Sequence, residues 1–251
     1  MNRFVQSFAR PGAAAGLAVS ALAAGARADI VDLTTAMTGS INGTLFHRAD
    51  FQPAGTGFID SFVRVQTNAP IVHGYNTSGR PAPFHANNSP NFTRNIIYAD
   101  IPTVSFGGID YKEFILDINQ TAANPLLSLD KVQVYTSPTG SQTTTDVASL
   151  GTLRYDLDFG QDSFVRLDYR INSGSGQGDM VMLIPIAAFA GTAATDFLYL
   201  YSLFGQNHAN NDGYEEWALR GGGNVIPLPP AAWIAMSGLG LVWLRHATRR
   251  R

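Results

Sequence analysis

The chain has 251 residues, no cysteine, and 17 basic against 19 acidic residues, a formal net charge of −2. Without cysteine there is no disulfide framework, no thiol catalysis and no Cys-based metal site. Seven of the basic residues (Arg3, Arg10, Arg27, Arg245, Arg249, Arg250, Arg251) sit at the two ends, so the stretch between holds 10 basic against 19 acidic, near −9, and lacks the Lys/Arg-rich surface that nucleic acid requires.

The chain opens with Arg3 and Arg10, a small apolar run from Gly12 to Ala24, and then Ala26-Arg27-Ala28 ahead of Asp29. A cationic start, an apolar middle and an A-x-A site are the layout of a secretory signal peptide, with cleavage expected after Ala28.

From Asp29 to Gly223 the sequence is mostly short alternating segments separated by Gly, Asn, Pro and Ser. FIDSFVRVQT, with Phe58, Phe62 and Val65, reads as a half-buried strand. The stretch from His73 to Arg94 reads as a long loop in which His73 and His85 are candidate ligands. Tyr111 to Ile118 and Leu127 to Tyr135 read as two further strands, the second with weaker alternation. The triplets headed by Asn42, Asn76, Asn91 and Asn119 have the N-x-S/T form, which in an Asn-, Ser- and Thr-rich chain arises by chance.

Thr152 to Phe159 and Ser163 to Ile171 both alternate cleanly, and Gly160-Gln161-Asp162 between them fits a three-residue hairpin loop. In that register Leu157 faces Val165, Tyr155 faces Leu167, Asp156 meets Arg166 and Arg154 meets Asp168. The spacing of Asp156, Asp158 and Asp162 also invites a Ca²⁺ loop. With Asp156 paired to Arg166, only Asp158 and Asp162 remain as ligands.

Met180 to Ile184 and Phe197 to Tyr201 are apolar and β-branched or aromatic enough for buried strands, and EEWALR ends the series. Six to ten strands without crossover helices predict an all-β fold: an antiparallel β-sandwich, jelly-roll-like. Just before the last strand, Asn207, His208, Asn210 and Asp212 gather amide, imidazole and carboxylate groups next to Trp217. This set suits Ca²⁺, the one cofactor the sequence points to, or a glycan stacked on an aromatic ring. No Ser/His/Asp, H-E-x-x-H or phosphate-loop pattern stands out. Glu215 and Glu216 are adjacent, so on a strand they face opposite ways. A glycoside hydrolase with distant carboxylates leaves no local signature.

The end of the chain reads VIPLPPAAWIAMSGLGLVWLRHATRRR. At about 1.5 Å per residue, Val225 to Leu244 spans roughly a 30 Å hydrocarbon core, and the arginines beyond it are held on the cytoplasmic side. Ile226-Pro227-Leu228-Pro229, the apolar stretch, and Arg245, Arg249, Arg250 and Arg251 together resemble a PEP-CTERM sorting signal of Gram-negative bacteria, with Leu228 where the family usually has Glu. Segments of the body, among them GTGFIDSFVRVQ, YKEFILDINQ and NDGYEEWALR, are similar to those of secreted proteins carrying that tail. The resemblance implies processing by an exosortase, a membrane-embedded cysteine transpeptidase. The expected organisation is a signal peptide (1–28), a β-sandwich domain (29–223), and a sorting segment with a transmembrane helix (224–251). The expected function is that of an exported, non-catalytic protein of the cell surface or extracellular matrix. The alternative is a carbohydrate-binding module or glycoside hydrolase acting on extracellular polysaccharide.

Overall fold

The computed structural model describes residues 28–49, 59–173 and 178–221. In chain order its strands are β1 (Ile30–Asp32), β2 (Thr38–Ile41), β3 (Thr44–Arg48), β4 (Ile59–Val65), β5 (Val72–Tyr75), β6 (Ile96–Ile97) and β7 (Thr103–Phe106). They continue as β8 (Ile109–Asp117), β9 (Leu126–Ser137), β10 (Thr152–Asp156), β11 (Phe164–Asp168), β12 (Met180–Pro185), β13 (Phe197–Phe204) and β14 (Glu215–Arg220). Helix among the described residues is limited to three short 3₁₀ turns.

The strands form two sheets. One runs β1-β11-β9-β13-β5, with β10 added on β9 and β6 on β13; the other runs β2-β3-β12-β8-β14-β4, with β7 on β8. All pairings are antiparallel except β1 with β11. Phe46, Phe62, Phe114 and Trp217 from the second sheet share one core with Leu129, Val132, Val165 and Leu200 from the first, all fully enclosed. The fold is thus a mostly antiparallel all-β sandwich. Each such side chain contributes about 1.5–3 kcal/mol of burial.

β13 shows how alternation builds two layers. Leu198, Leu200 and Phe204 face the shared core, whereas Tyr199 and Tyr201 join Tyr75, Tyr135 and Leu150 in a second apolar cluster. The one polar residue at an inward position, Ser202, accepts the Trp217 indole N–H at 3.1 Å, so the buried indole is satisfied. In β9 the inward set is Leu127 and Leu129, then Val132 and Val134. A bulge where Phe204 pairs Leu129 and Leu203 pairs Lys131 shifts the phase, which explains the weak period-2 pattern of that segment. β2 and β3 are joined by Asn42-Gly43, both at positive φ (50° and 80°), as a two-residue type I′ hairpin turn demands.

The hairpin expected over 152–171 does not form. β10 and β11 run in the same direction, end to end along one edge of β9: Thr152 pairs Thr136 and Asp156 pairs Gln133, then Val165 pairs Leu129 and Asp168 pairs Leu126. Between them the Leu157 N–H still bonds Val132 O at 2.9 Å, and the Leu157 side chain is wholly buried. The chain then leaves the sheet and returns. Asp158 closes that excursion, accepting the Ser163 N–H at 3.1 Å and pairing with Lys131 at 3.3 Å. The charge pairs that favoured a hairpin are absent. Asp156 accepts from Gln133 Nε2 at 2.9 Å, Arg154 donates to Thr136 Oγ1 and Ala190 O, Arg166 reaches Asp32 at 3.1 Å, and Asp168 pairs with Arg170 at 2.7 Å. Alternation fixed which face each segment buries but left the partner strand open.

Candidate functional site

The polar segment ahead of β14 is folded onto the β9 bulge. Asp130, 2% exposed, accepts the Gln206 N–H at 2.7 Å, the Asn207 side-chain amide at 2.8 Å and the Ser128 hydroxyl at 2.8 Å. Ser128 Oγ in turn accepts the N–H groups of Asn207 (3.1 Å) and His208 (2.8 Å). Three successive backbone donors are thus spent inward on Ser128 and Asp130.

His208 Nε2 accepts from Arg166 Nε at 2.9 Å, so the neutral ring carries its proton on Nδ1. Burial and the Arg166 charge push its pKa down. Asn210 is buried and ties three segments together, donating to Thr67 O (3.1 Å) and Ala69 O (3.0 Å) and accepting from Gln120 Nε2 (3.3 Å). Asp212 is exposed and caps its own turn through the Gly213 N–H. Trp217 is enclosed between the sheets at 0% exposure, so the expectation that it stacks on a sugar is corrected. Tyr214 lies against the Arg64 guanidinium, 3.7 Å from ring centroid to carbon, and Phe92 lies against the same group at 3.5 Å. Asn210 and Trp217 are thus spent on protein partners, Asn207 and His208 each engage one while staying partly open to solvent, and Asp212 is exposed. Asp158 and Asp162 do not converge: the first is held by Ser163 and Lys131, the second is exposed. Among the described residues, no group of three or more His, Asp or Glu side chains is placed to hold a metal ion.

What the structure does bring together is a row of carboxyl groups from distant parts of the chain. Asp117 ends β8, Asp179 precedes β12 and Glu215 opens β14; they are 2%, 6% and 0% exposed. Because Met180 pairs Leu116 and Glu216 pairs Asp117, the three meet at one end of the β12-β8-β14 sheet. Asp179 Oδ2 accepts the Ile118 N–H at 2.8 Å while Oδ1 has no partner. Glu215 accepts from the Asn119 N–H (3.2 Å) and Gln120 Nε2 (2.7 Å). Burial pushes the Asp179 pKa up to about 8, helped by the charges of Asp117 and Asp168. Burial, with Asp179 and Asp117 nearby, pushes Glu215 well above the carboxylate range. Glu216 faces the other way onto Arg64, whose Nε donates at 2.6 Å. A cavity of about 10 Å³ opens beside Asp179, lined also by Leu33, Arg48, Leu167, Asp168 and Ile171, which is room for one water.

In the 73–94 segment His73 and His85 do meet, with ring centroids 4.8 Å apart and edge to face. His73 Nδ1 and the Tyr201 hydroxyl share a hydrogen bond of 3.0 Å, and His85 Nδ1 accepts the His73 N–H at 3.2 Å. Burial and the neighbouring His85 lower the His73 pKa. The segment is strapped down rather than open: Arg80 donates to the carbonyls of Thr77 (2.7 Å), Asn88 (2.8 Å) and Thr93 (2.5 Å).

Comparison of the chain with protein families, with curated proteins and with solved structures gave no match. The sorting residues Ile226, Pro227, Leu228, Pro229, Arg245, Arg249, Arg250 and Arg251, together with Ala26, lie outside the described residues; Ala28 is described and exposed. No helix among the described residues is long and apolar enough to cross a membrane.

Proposed function

We propose that this chain is an exported, non-catalytic protein of the cell surface or extracellular matrix, delivered by its two ends. A signal peptide is removed after Ala28, and a PEP-CTERM-like tail, which anchors as a single transmembrane helix, is read by an exosortase-like transpeptidase. The body between is a jelly-roll-like sandwich. One observation carries the reading: an apolar leader ending in A-x-A at one terminus and a Pro motif, apolar stretch and Arg cluster at the other, flanking a cysteine-free body that holds every acidic residue. The position of the cut is compatible with the fold. Asp29, the residue left at the new terminus, keeps its carbonyl bond to the Phe164 N–H at 3.2 Å, and β1 begins one residue later. Intact-mass measurement of the protein recovered from the surface and medium of its native host tests this. The expected mass lacks residues 1–28 and ends near Ile226–Pro229; a chain running intact to Arg251 would overturn the sorting route.

The polysaccharide reading rests on a different residue from the one the sequence pointed to. Phe159, 75% exposed at the tip of the excursion and followed by Gln161 and Asp162, offers an open ring beside hydrogen-bonding groups. Affinity electrophoresis in gels containing neutral polysaccharides should show retardation that Phe159→Ala removes; equal mobility of both proteins in every gel would end that reading.

A further inference from the structure

The carboxyl row at the end of β12, β8 and β14 is linked to the backbone in a reciprocal way. The Asp179 N–H bonds Leu116 O at 2.7 Å, the Ile118 N–H bonds Asp179 Oδ2 at 2.8 Å, and the Gly178 N–H bonds Asp117 Oδ1 at 3.3 Å. On the far side, Glu215 holds the 119–120 turn through Asn119 and Gln120, and Gln120 holds Asn210 and the Asn211 N–H (3.0 Å). Three backbone segments, 116–121, 178–180 and 210–216, are therefore gathered around Asp117, Asp179 and Glu215, and the hydrogen bonds to Asp179 and Glu215 come from neutral donors.

The charged groups facing them are mostly of their own sign. β8 contributes Asp117, and β11 contributes Asp168, already paired with Arg170. Glu216 of β14, on the opposite face, adds its charge beside Asp117 and is paired with Arg64 of β4. Among the described residues the remaining cation is Arg48 of β3, which lines the cavity beside Asp179 and donates to Met37. Ionised carboxyls in so enclosed a place would repel one another with little water to screen them. A proton on Asp179 removes its share of that repulsion.

We infer that Asp117, Asp179 and Glu215 form a proton-operated latch: while Asp179 and Glu215 hold protons, the 117–121, 178–180 and 210–216 segments stay closed, and on ionisation these segments open locally while the two-sheet core remains folded. The latch lies apart from the terminal signals and goes beyond the export reading, giving the exported domain an end whose order depends on the alkalinity around it.

Hydrogen exchange of the full chain, followed by mass spectrometry between pH 6 and pH 9.5, tests the latch. Protection factors, corrected for the intrinsic rate, should fall by more than the tenfold per pH unit of a single carboxyl for amides such as Ile118 and Asp179 below about pH 8, and less steeply above it. Core amides of β13 such as Leu200 should not follow. Asp179→Asn and Glu215→Gln, which mimic the protonated acids, should each reduce the slope, and the double variant should flatten the profile. A wild-type profile that is flat, a Glu215→Gln profile as steep as wild type, or core amides losing protection in parallel would overturn the latch. If Asp179→Asn fails to fold, the wild-type and Glu215→Gln profiles still decide.

Discussion

Asn76 offers a measurable test of how the sandwich is held. The residue is 0% exposed and follows directly on β5. Its side-chain amide does the work of one more strand residue: Nδ2 donates to Leu198 O at 2.8 Å and Oδ1 accepts the Leu200 N–H at 2.7 Å. Asn76→Ala leaves both β13 groups buried and unpaired. Each unsatisfied backbone group costs about 1–3 kcal/mol, so the loss should be about 2–6 kcal/mol, set against a total stability of roughly 5–15 kcal/mol. For a domain of this size 1 kcal/mol moves Tm by about 2–4 °C, which puts the fall at about 4–24 °C. Asn76→Asp should be worse, because it keeps the acceptor but sets a second oxygen against Leu198 O and buries a charge. Urea denaturation followed by circular dichroism gives both numbers, and the absence of cysteine keeps disulfide chemistry out of the measurement. A loss below about 1 kcal/mol for Asn76→Ala, with an unchanged m-value, would refute the reasoning, since it would mean that the two backbone groups find partners without the amide.

Three further outcomes follow from the same physics. Leu157→Ala should cost about 2–5 kcal/mol, a typical large-to-small core change, whereas Phe159→Ala two residues on should change stability by less than about 0.5 kcal/mol; equal effects in urea melts would favour the hairpin register that the structure replaces. Arg220 donates to Glu113 through Nε at 2.8 Å, and Glu113 is only 3% exposed, so Arg220→Met should cost about 3–5 kcal/mol by stranding a buried carboxylate while the double variant with Glu113→Leu recovers most of it in a double-mutant cycle. Asp179 has a folded pKa of about 8 against an ordinary value of 3.8, so the stability it contributes is fully present below the lower value and is lost as pH rises through the higher one. Between pH 5 and pH 8 the difference between wild type and Asp179→Asn should shift by about 1.4 kcal/mol per pH unit against wild type; a constant difference in urea midpoints would show that the group is ionised throughout.

The strands that sequence makes legible are the well-buried ones. Tyr111 to Ile118, Leu127 to Tyr135, Met180 to Ile184 and Phe197 to Tyr201 all fall within or largely within β8, β9, β12 and β13, because long runs of β-branched and aromatic residues suit little else. β1, β2, β6 and β7, two to four residues each, are too short to show a period. The Asn42-Gly43 turn was readable from its dipeptide alone, a stronger hairpin signal than Gly160-Gln161-Asp162. The hairpin error has a clear cause. β10 and β11 bury the same face on the same core, so their patterns match each other whether or not they pair, and only Leu157, which continues along β9, distinguishes the two arrangements. The polar cluster before β14 was visible as residue types. Its inward orientation depends on Asp130, far away in sequence, and the carboxyl row depends on three separate strands.

The asparagines of this chain show why composition misled about the site. Asn42 Nδ2 donates to the carbonyls of Asp156 and Leu157, both at 3.0 Å; Asn172 Nδ2 donates to Ala49 O (2.7 Å) and Gly178 O (3.1 Å); Asn210 Nδ2 donates to Thr67 O and Ala69 O. In each case one amide nitrogen spans two backbone carbonyls, all but Gly178 O distant from it in sequence, a geometry for which an amide has two donors and a carboxylate none. A cysteine-free domain has no covalent crosslinks between its loops, and these side chains take up that work, each bond contributing about 0.5–1.5 kcal/mol and orphaning buried acceptors when lost. An amide-rich loop in such a chain therefore reads first as a fastening, and a binding role has to be argued from groups that still point outward. Phe159 is such a group; the buried Asn210 is not.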